Sequence, residues 1–329
     1  MKNSIILLFF VCLLTGCAAA PEPAAATTHP VAVEPVATTA ETVPPEAAEA
    51  EAAVLVEEVP PPTGIVLEPE APGDQEVRCD AAVVDYSHAE EGYIMVCHFA
   101  ETDKRLKVLL KGPTTTYNYN LPQGQWVTFP LSDGDGPYQA GIYRNTEGTK
   151  YAMVMLAEFE VALLDEFAPF LRPNQYVNYL TAPNTVTKGA ELCAGLDHPL
   201  DKVAAVYDYV VQNVTYDEEK AAAVQSGYLP DLDEILEIKK GICFDYAAMM
   251  TAMLRSQQVP CKLVVGYAGS VYHAWISVWT EEDGWIDGAI FFDGHMWKRM
   301  DPTFVSAADN REEILDYVEH GTYTVKYLY

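Results

Sequence analysis

Between Asn3 and Val77 the chain contains neither lysine nor arginine. Over its whole length 20 basic residues face 48 acidic ones, a formal net charge of −28. A surface so poor in positive charge argues against nucleic acid or an anionic lipid surface as a ligand, because both are held by neutralising phosphates with Lys and Arg. There is no C-x-x-C pair, no glycine-rich phosphate loop, no dinucleotide-binding fingerprint and no internal repeat. A redox dithiol, a nucleotide cofactor and a solenoid are therefore not expected, and no cofactor or resident metal is called for. The apolar run within residues 1–17 is too short for a comfortable membrane span.

What stands in place of these features is organised in blocks. Residues 1–17 carry one lysine and an apolar run, and end Leu14-Thr15-Gly16-Cys17. This reads as a secretory signal. Its last four residues are similar to a bacterial lipobox, which implies that Cys17 is lipidated and becomes the first residue of an exported, membrane-anchored lipoprotein. Residues 18–75 are rich in Ala, Pro, Glu, Thr and Val. Such a composition cannot bury enough apolar surface to offset chain entropy, so a disordered, extended tether is expected. Twelve acids lie between Glu22 and Glu76; without them and Lys2, thirty-six acids face nineteen bases, about −17 for the folded part. That charge fits a soluble exported protein.

From residue 76 to 165 the pattern changes to short alternating runs: Val77–Tyr86, Gly92–Phe99, Leu106–Leu110, Trp126–Leu131, Ala140–Tyr143 and Tyr151–Leu164. Turn signals such as Lys111-Gly112-Pro113 separate them. Strands at this spacing predict an antiparallel β-sandwich, immunoglobulin-like in broad shape, with nothing catalytic in it. His88 and His98 read as ordinary surface or core residues. Residues 166–198 read as a connector. An amphipathic helix is expected from Pro199, with Leu200, Val203, Ala204, Tyr207, Val210, Val211 and Val214 on its apolar face. A short helix follows over Leu232–Ile238. A final strand over Thr322–Tyr329 could complete the second domain's sheet.

The chemistry concentrates between Gly241 and Trp279. Cys243 precedes a run, Tyr246, Ala247, Met250 and Leu254, at helical spacing, which places the thiol on a first helical turn. A helix N-terminus favours a thiolate and offers N–H groups to an oxyanion. After Pro260 two strands are expected; on the second, His273, Trp275, Ser277 and Trp279 share one face and Ala274, Ile276 and Val278 the other. Asp301 follows a strand-like run and precedes a proline. Taken singly, a cysteine is usually a small core residue, a strand histidine a structural one and Asp-Pro a turn. Together and in this order they are the nucleophile, base and orienting acid of a cysteine acyl-transfer site.

These pieces, GICFDYAAMMTAMLRSQQVPCKLVVGY, YHAWISVW and MDPTF, with the upstream NVTYD, resemble the core of the transglutaminase-like superfamily over roughly residues 200 to 305. The resemblance implies a papain-like/transglutaminase-like catalytic domain over 199–329; with the antiparallel β-sandwich read from strand spacing ahead of it, the chain is expected to be α+β. It implies Cys243 as nucleophile, His273 as base and Asp301 as orienting acid, with a protein or peptide as substrate. Hydrolysis of an amide or peptide bond is the expected outcome, since water is always available outside a cell. Transfer to an amine is one alternative, and a surface binding module that keeps the fold without turnover is another. Tyr216, Gln225 and Tyr228 are open candidates for an oxyanion-hole side chain. Lys239 and Lys240 could add positive charge ahead of the nucleophile. Of the seven cysteines, Cys79 and Cys97 lie on neighbouring expected strands, where a disulfide is one option. Zinc held by Cys243, Cys261, His273 and His295 is a remote alternative.

The lipobox generates the first prediction. Cys17→Ser should leave the protein without lipid and out of the membrane fraction, as read by fractionation and mass spectrometry. A variant that still sediments with membranes would overturn the anchor.

Overall fold

The computed structural model describes residues 63–268, 270–287, 290–292, 297–299 and 323–329. Cys17, His295, Asp301, most of the expected tether and the expected lipobox lie outside these residues.

Glu76–Val161 forms two four-stranded antiparallel sheets. The strands are β1 (Glu76–Arg78), β2 (Ala82–Asp85), β3 (Tyr93–His98), β4 (Leu106–Lys111), β5 (Thr116–Leu121), β6 (Val127–Pro130), β7 (Gly136–Glu147) and β8 (Lys150–Val161). One sheet runs β1-β2-β3-β6 and the other β5-β4-β7-β8. Alternation explains the second sheet well: on β5, Tyr117, Tyr119 and Leu121 are buried while Thr116, Asn118 and Asn120 are exposed. Phe129 of one sheet meets Tyr119 of the other at 4.5 Å, and Tyr86 stacks on Phe159 at 5.0 Å. Pro130 ends an edge strand, where its missing N–H removes no ladder bond.

Two expectations change here. The run Val77–Tyr86 is not one strand but the hairpin of β1 and β2. Because β2 lies between β1 and β3, Cys79 and Cys97 are separated by two strand spacings, roughly 10 Å, and a disulfide cannot span that. Both are free thiols. The strand β5 had no counterpart among the expected runs.

The second part is built around one helix. Its elements are α1 (Pro183–Cys193), α2 (Pro199–Asn213), β9 (Thr215–Tyr216), α3 (Glu218–Ala223), α4 (Leu232–Ile238), β10 (Lys240–Gly241), α5 (Cys243–Ser256), β11 (Cys261–Ala268), β12 (Val271–Thr280), β13 (Gly284–Asp287), β14 (Ile290–Phe292), β15 (Trp297–Arg299) and β16 (Tyr323–Leu328). From Asp245 to Ser256 every residue of α5 is buried. The antiparallel sheet β13-β12-β11-β16 covers one side of it, through Cys261, Leu263, Val265, Ala274, Ile276 and Val278. Helices α1 and α2 cover another. Helix α1 lies in the stretch read as a connector; a Cβ at Gly189 would meet the Met253 Cα at 3.0 Å, so only glycine allows the two helix backbones this close.

Arg255, in the last turn of α5, is fully buried. Its Nε donates to the Cys261 carbonyl at 2.9 Å, Nη1 to the Arg172 carbonyl at 2.7 Å and Nη2 to Tyr329 O at 2.8 Å. The two parts meet through tyrosines: Tyr329 packs against Tyr117 at 5.7 Å and Tyr119 at 5.9 Å. No helix among the described residues is long and apolar enough to cross a membrane.

Residues 63–75, expected to belong to the tether, are held against both parts. The Ile65 N–H donates to the Ser256 carbonyl at 2.8 Å, and the Glu70 N–H to the Tyr93 hydroxyl at 3.1 Å. Val66 packs on the core. Composition missed this because a few well-placed backbone donors and one valine suffice to dock an extended strap. A chain beginning at Thr63 should therefore melt above one beginning at Gly73, the difference being about 1–3 kcal/mol. Equal melting temperatures would show that the strap adds nothing.

Candidate active site

The turn into α5 sets the site. Gly241 ends the short parallel pairing of β10 with β9. A Cβ there would meet the Asp245 Cβ at 2.8 Å and Oδ2 at 3.1 Å, so a larger residue would push Asp245 aside. Asp245 stands at the third helical position and accepts the Ile242 N–H at 2.9 Å, one half of a capping box. The same carboxylate is fully buried. It accepts from the Lys220 ammonium at 2.6 Å and the Tyr228 hydroxyl at 2.7 Å. Cys243, two positions earlier, is a half-buried free thiol on the first turn of α5.

Cys243 lines a cavity of about 640 Å³ that His273 also lines. His273 is buried on β12, opposite Gly266 of β11. A Cβ at Gly266 would meet the Thr324 carbonyl oxygen at 2.0 Å, so glycine is what lets β16 close on this part of the sheet. The expected alternation along β12 holds. Ala274, Ile276 and Val278 join the core under α5, and the His273 ring lies 6.4 Å from its same-face neighbour Trp275. Tyr272, unremarked in the sequence, lines the cavity too. Partial burial raises its pKa, and Tyr327, Tyr267 and the Cys243 thiol raise it further. Asp301 lies outside the described residues.

Three other tyrosines, Tyr176, Tyr327 and Tyr329, with Phe244 give the cavity an aromatic wall, and among the described residues no Lys, Arg, Asp or Glu lines it. Burial pushes the Tyr176 phenol up to about 12 and the Tyr329 phenol higher still, so both remain neutral at physiological pH. Asn118 of the sandwich's β5 also lines the cavity. Gly227 packs so closely on β5 that a Cβ would meet the Asn120 amide nitrogen at 2.1 Å. The sandwich thus supplies part of the site wall, a role its sequence did not reveal.

Of the candidates for an oxyanion-hole side chain, all three line the cavity. Tyr228 is set aside: its one O–H is given to Asp245. Gln225 already donates to the Ala223 carbonyl at 2.8 Å. The cation near the start of α5 is Lys220, not the expected pair. Lys240 reaches Asp217 at 3.2 Å, and Lys239 takes a left-handed conformation, φ 54°, to end α4. Zinc ligation loses one member as well. Cys261 is wholly buried, 3.6 Å from the Thr251 hydroxyl, five positions along β11 from the partner of His273, roughly 16 Å away.

Residues 187–288 match the model of the transglutaminase-like superfamily. This segment is a transglutaminase-like core. A 138-residue stretch is 29% identical to the uncharacterized protein YebA of Bacillus subtilis, covering 33% of this chain and 18% of that protein. A 103-residue stretch is 26% identical to a protein-glutamine gamma-glutamyltransferase of Pseudomonas aeruginosa, covering 27% and 14%. The chain thus spans less than a fifth of either relative's length. Among solved structures, the periplasmic domain of TgpA from P. aeruginosa, bound to ethylmercury, overlays with a TM-score of 0.33 at 16% identity, over 73% of this chain and 77% of that one. The chain is accordingly of mixed α/β class, with a sheet-rich part ahead of a transglutaminase-like core.

The Asp245 cluster predicts a split between stability and reactivity. Asp245→Ala removes the acceptor from a buried amide, a phenol and an ammonium and should cost about 3–5 kcal/mol in chemical denaturation. Tyr228→Phe removes the bond given to Asp245 and the one accepted from Lys220, leaves the carboxylate paired, and should cost about 1–2 kcal/mol, while loosening the wall formed by residues 224–228. A loss for Tyr228→Phe as large as that for Asp245→Ala would mean the hydroxyl, not the carboxylate, organises the turn.

Proposed function

We propose that this is a cysteine-dependent acyl-transfer enzyme of transglutaminase-like type, anchored through Cys17 and acting on an amide or peptide bond of a protein or peptide. The observation that carries the reading is the shared cavity: a thiol on the first turn of a buried helix and an imidazole on the adjoining strand open to one space that is aromatic and, among the described residues, uncharged. Cys243 gives its proton to His273, and Sγ attacks the carbonyl carbon. The C–N bond breaks, and His273 returns the proton to the departing amine. Asp301 fixes the His273 tautomer. The N–H groups at the start of α5 receive the oxyanion. Water then cleaves the thioester, releasing the acid and the thiol.

The neutral lining favours an uncharged group at the reacting carbonyl, since a carboxylate or ammonium placed there would lose its hydration without gaining a partner. A carboxamide or a backbone amide meets that condition. Hydrolysis is favoured over transfer to an amine because the half-buried Cys243 stands in a cavity with room for water.

Cys243→Ala should abolish turnover of a neutral peptide or carboxamide substrate. His273→Ala should be nearly as damaging. Asp301→Asn should keep more activity, though losses can reach about 10⁴-fold. Alkylation by a small reagent at mildly acidic pH, mapped by mass spectrometry, should modify Cys243 ahead of Cys79. Slow labelling of Cys243, together with no turnover by the unaltered protein, would leave the chain a binding module, and unchanged turnover in Cys243→Ala would overturn Cys243 as the nucleophile. Product analysis with and without added primary amine separates hydrolysis from transfer.

A further inference from the structure

The run 104–111, KRLKVLLK, holds four bases and no acid in a chain of net charge −28. It carries β4 across the β5-β4-β7-β8 sheet. On the outer face of that sheet lies a groove of about 400 Å³. Arg105 and Lys107 line it, with Leu109, Tyr143 and Tyr151 supplying apolar surface between and beside the charges. Both bases are held in place by neutral groups. Arg105 Nη2 donates to the Gly148 carbonyl at 2.9 Å, and Lys107 Nζ donates to Asn118 Oδ1 at 3.1 Å. Lys107 also lies 6.0 Å from the centre of the Tyr151 ring. Lys104, Lys150, Lys188 and Lys240 each have a carboxylate partner, whereas among the described residues Arg105 and Lys107 have none. Asn118 lines this groove and the cavity of Cys243 alike.

We propose that this groove is a substrate subsite for a carboxylate-rich stretch of polypeptide adjoining the neutral segment that enters the cavity. Its junction with the cavity rests on the acyl-transfer reading of that site; its ligand class rests on the groove itself. Arg105, immediately before β4, and Lys107 on it are two residues apart, roughly 7 Å if the extended path continues, which is also the repeat of side chains on one face of an extended peptide. Acids at alternate positions of such a peptide meet the two bases, and the residues between them lie against Leu109 and the two tyrosines. The two sites then divide recognition: charge at the groove sets register, and the uncharged cavity admits the reacting amide. Attraction of this kind also counteracts the repulsion that an acidic substrate meets from an acidic protein.

The test uses the whole mature chain and a fluorescent peptide of alternating Glu and Ala, read by anisotropy. Binding should be clear at low salt and weaken as salt is raised. Lys107→Glu and Arg105→Glu should each weaken it by about tenfold, while Lys188→Glu, the same charge change elsewhere, should leave it nearly unchanged. Absence of binding at low salt, or equal losses in all three variants, would overturn the proposal. So would tighter binding of polygalacturonate through the same two residues, which would assign the groove to an anionic glycan. A second arm gives the same peptide a terminal chloroacetamide and follows alkylation of Cys243. The acidic peptide should react about tenfold faster than its Gln–Ala counterpart, and Lys107→Glu should erase the difference. Equal rates on a Cys243 that reacts readily with free chloroacetamide would refute the junction and leave the acyl-transfer reading intact. A Cys243 inert to free chloroacetamide would count against that reading alone, with the anisotropy arm still deciding the groove.

Discussion

A guanidinium held wholly inside the protein by carbonyl oxygens is the tie on which the second part depends. Arg255 joins three segments far apart in sequence: the approach to the helices at Arg172, the start of β11 at Cys261 and Tyr329 just past β16. Taking this charge out of water is costly, and burial lowers the pKa of the group. The planar fork recovers that cost by meeting several acceptors at once, which a lysine's single ammonium would not match in direction or reach. Because Tyr327 stands on β16 and Tyr329 directly follows it, the aromatic wall of the cavity is set from the far end of α5.

The other end of α5 repeats the arrangement with opposite sign. Asp245 in the first turn and Arg255 in the last are both fully buried, an acid by the helix N-terminus and a base by the C-terminus. Each complements the partial charge of its helix end, so part of the desolvation cost of either group is met by the helix itself. Between them the helix carries Tyr246, Thr251 and otherwise only alanine, methionine and leucine, all buried. Cys243 therefore sits on a rigid element whose start is fixed by the carboxylate that also holds Lys220 and Tyr228.

Much of this was visible in the residues. The periodicity of Tyr246, Ala247, Met250 and Leu254 marked α5, the alternation after Val271 marked β12, and Leu232–Ile238 matches α4 in both bounds. What escaped did so for physical reasons. On β5 two of the three inward positions are tyrosines and the outward ones are asparagine and threonine, so only Leu121 marks the strand as apolar. The α1 helix begins with Pro-Asn-Thr, a turn signal, and is held chiefly by packing on α5. The partners of Asp245 lie 17 and 25 residues away in sequence, so nothing local announced them. The groove at Arg105 and Lys107 exists only once β4, β5, β7 and β8 are side by side.

The packing of α5 has a consequence for durability. Met249, Met250 and Met253 have no exposed surface. Their flexible thioethers fill space well, but a sulfoxide is polar and could not return to the same place. An oxidant reaches these sulfurs only when the helix opens, and each such event in an oxidising medium leaves a molecule that cannot close again. The lifetime of the protein under oxidative stress is then set by how often α5 opens, a rate, rather than by the equilibrium balance of folded and unfolded chains.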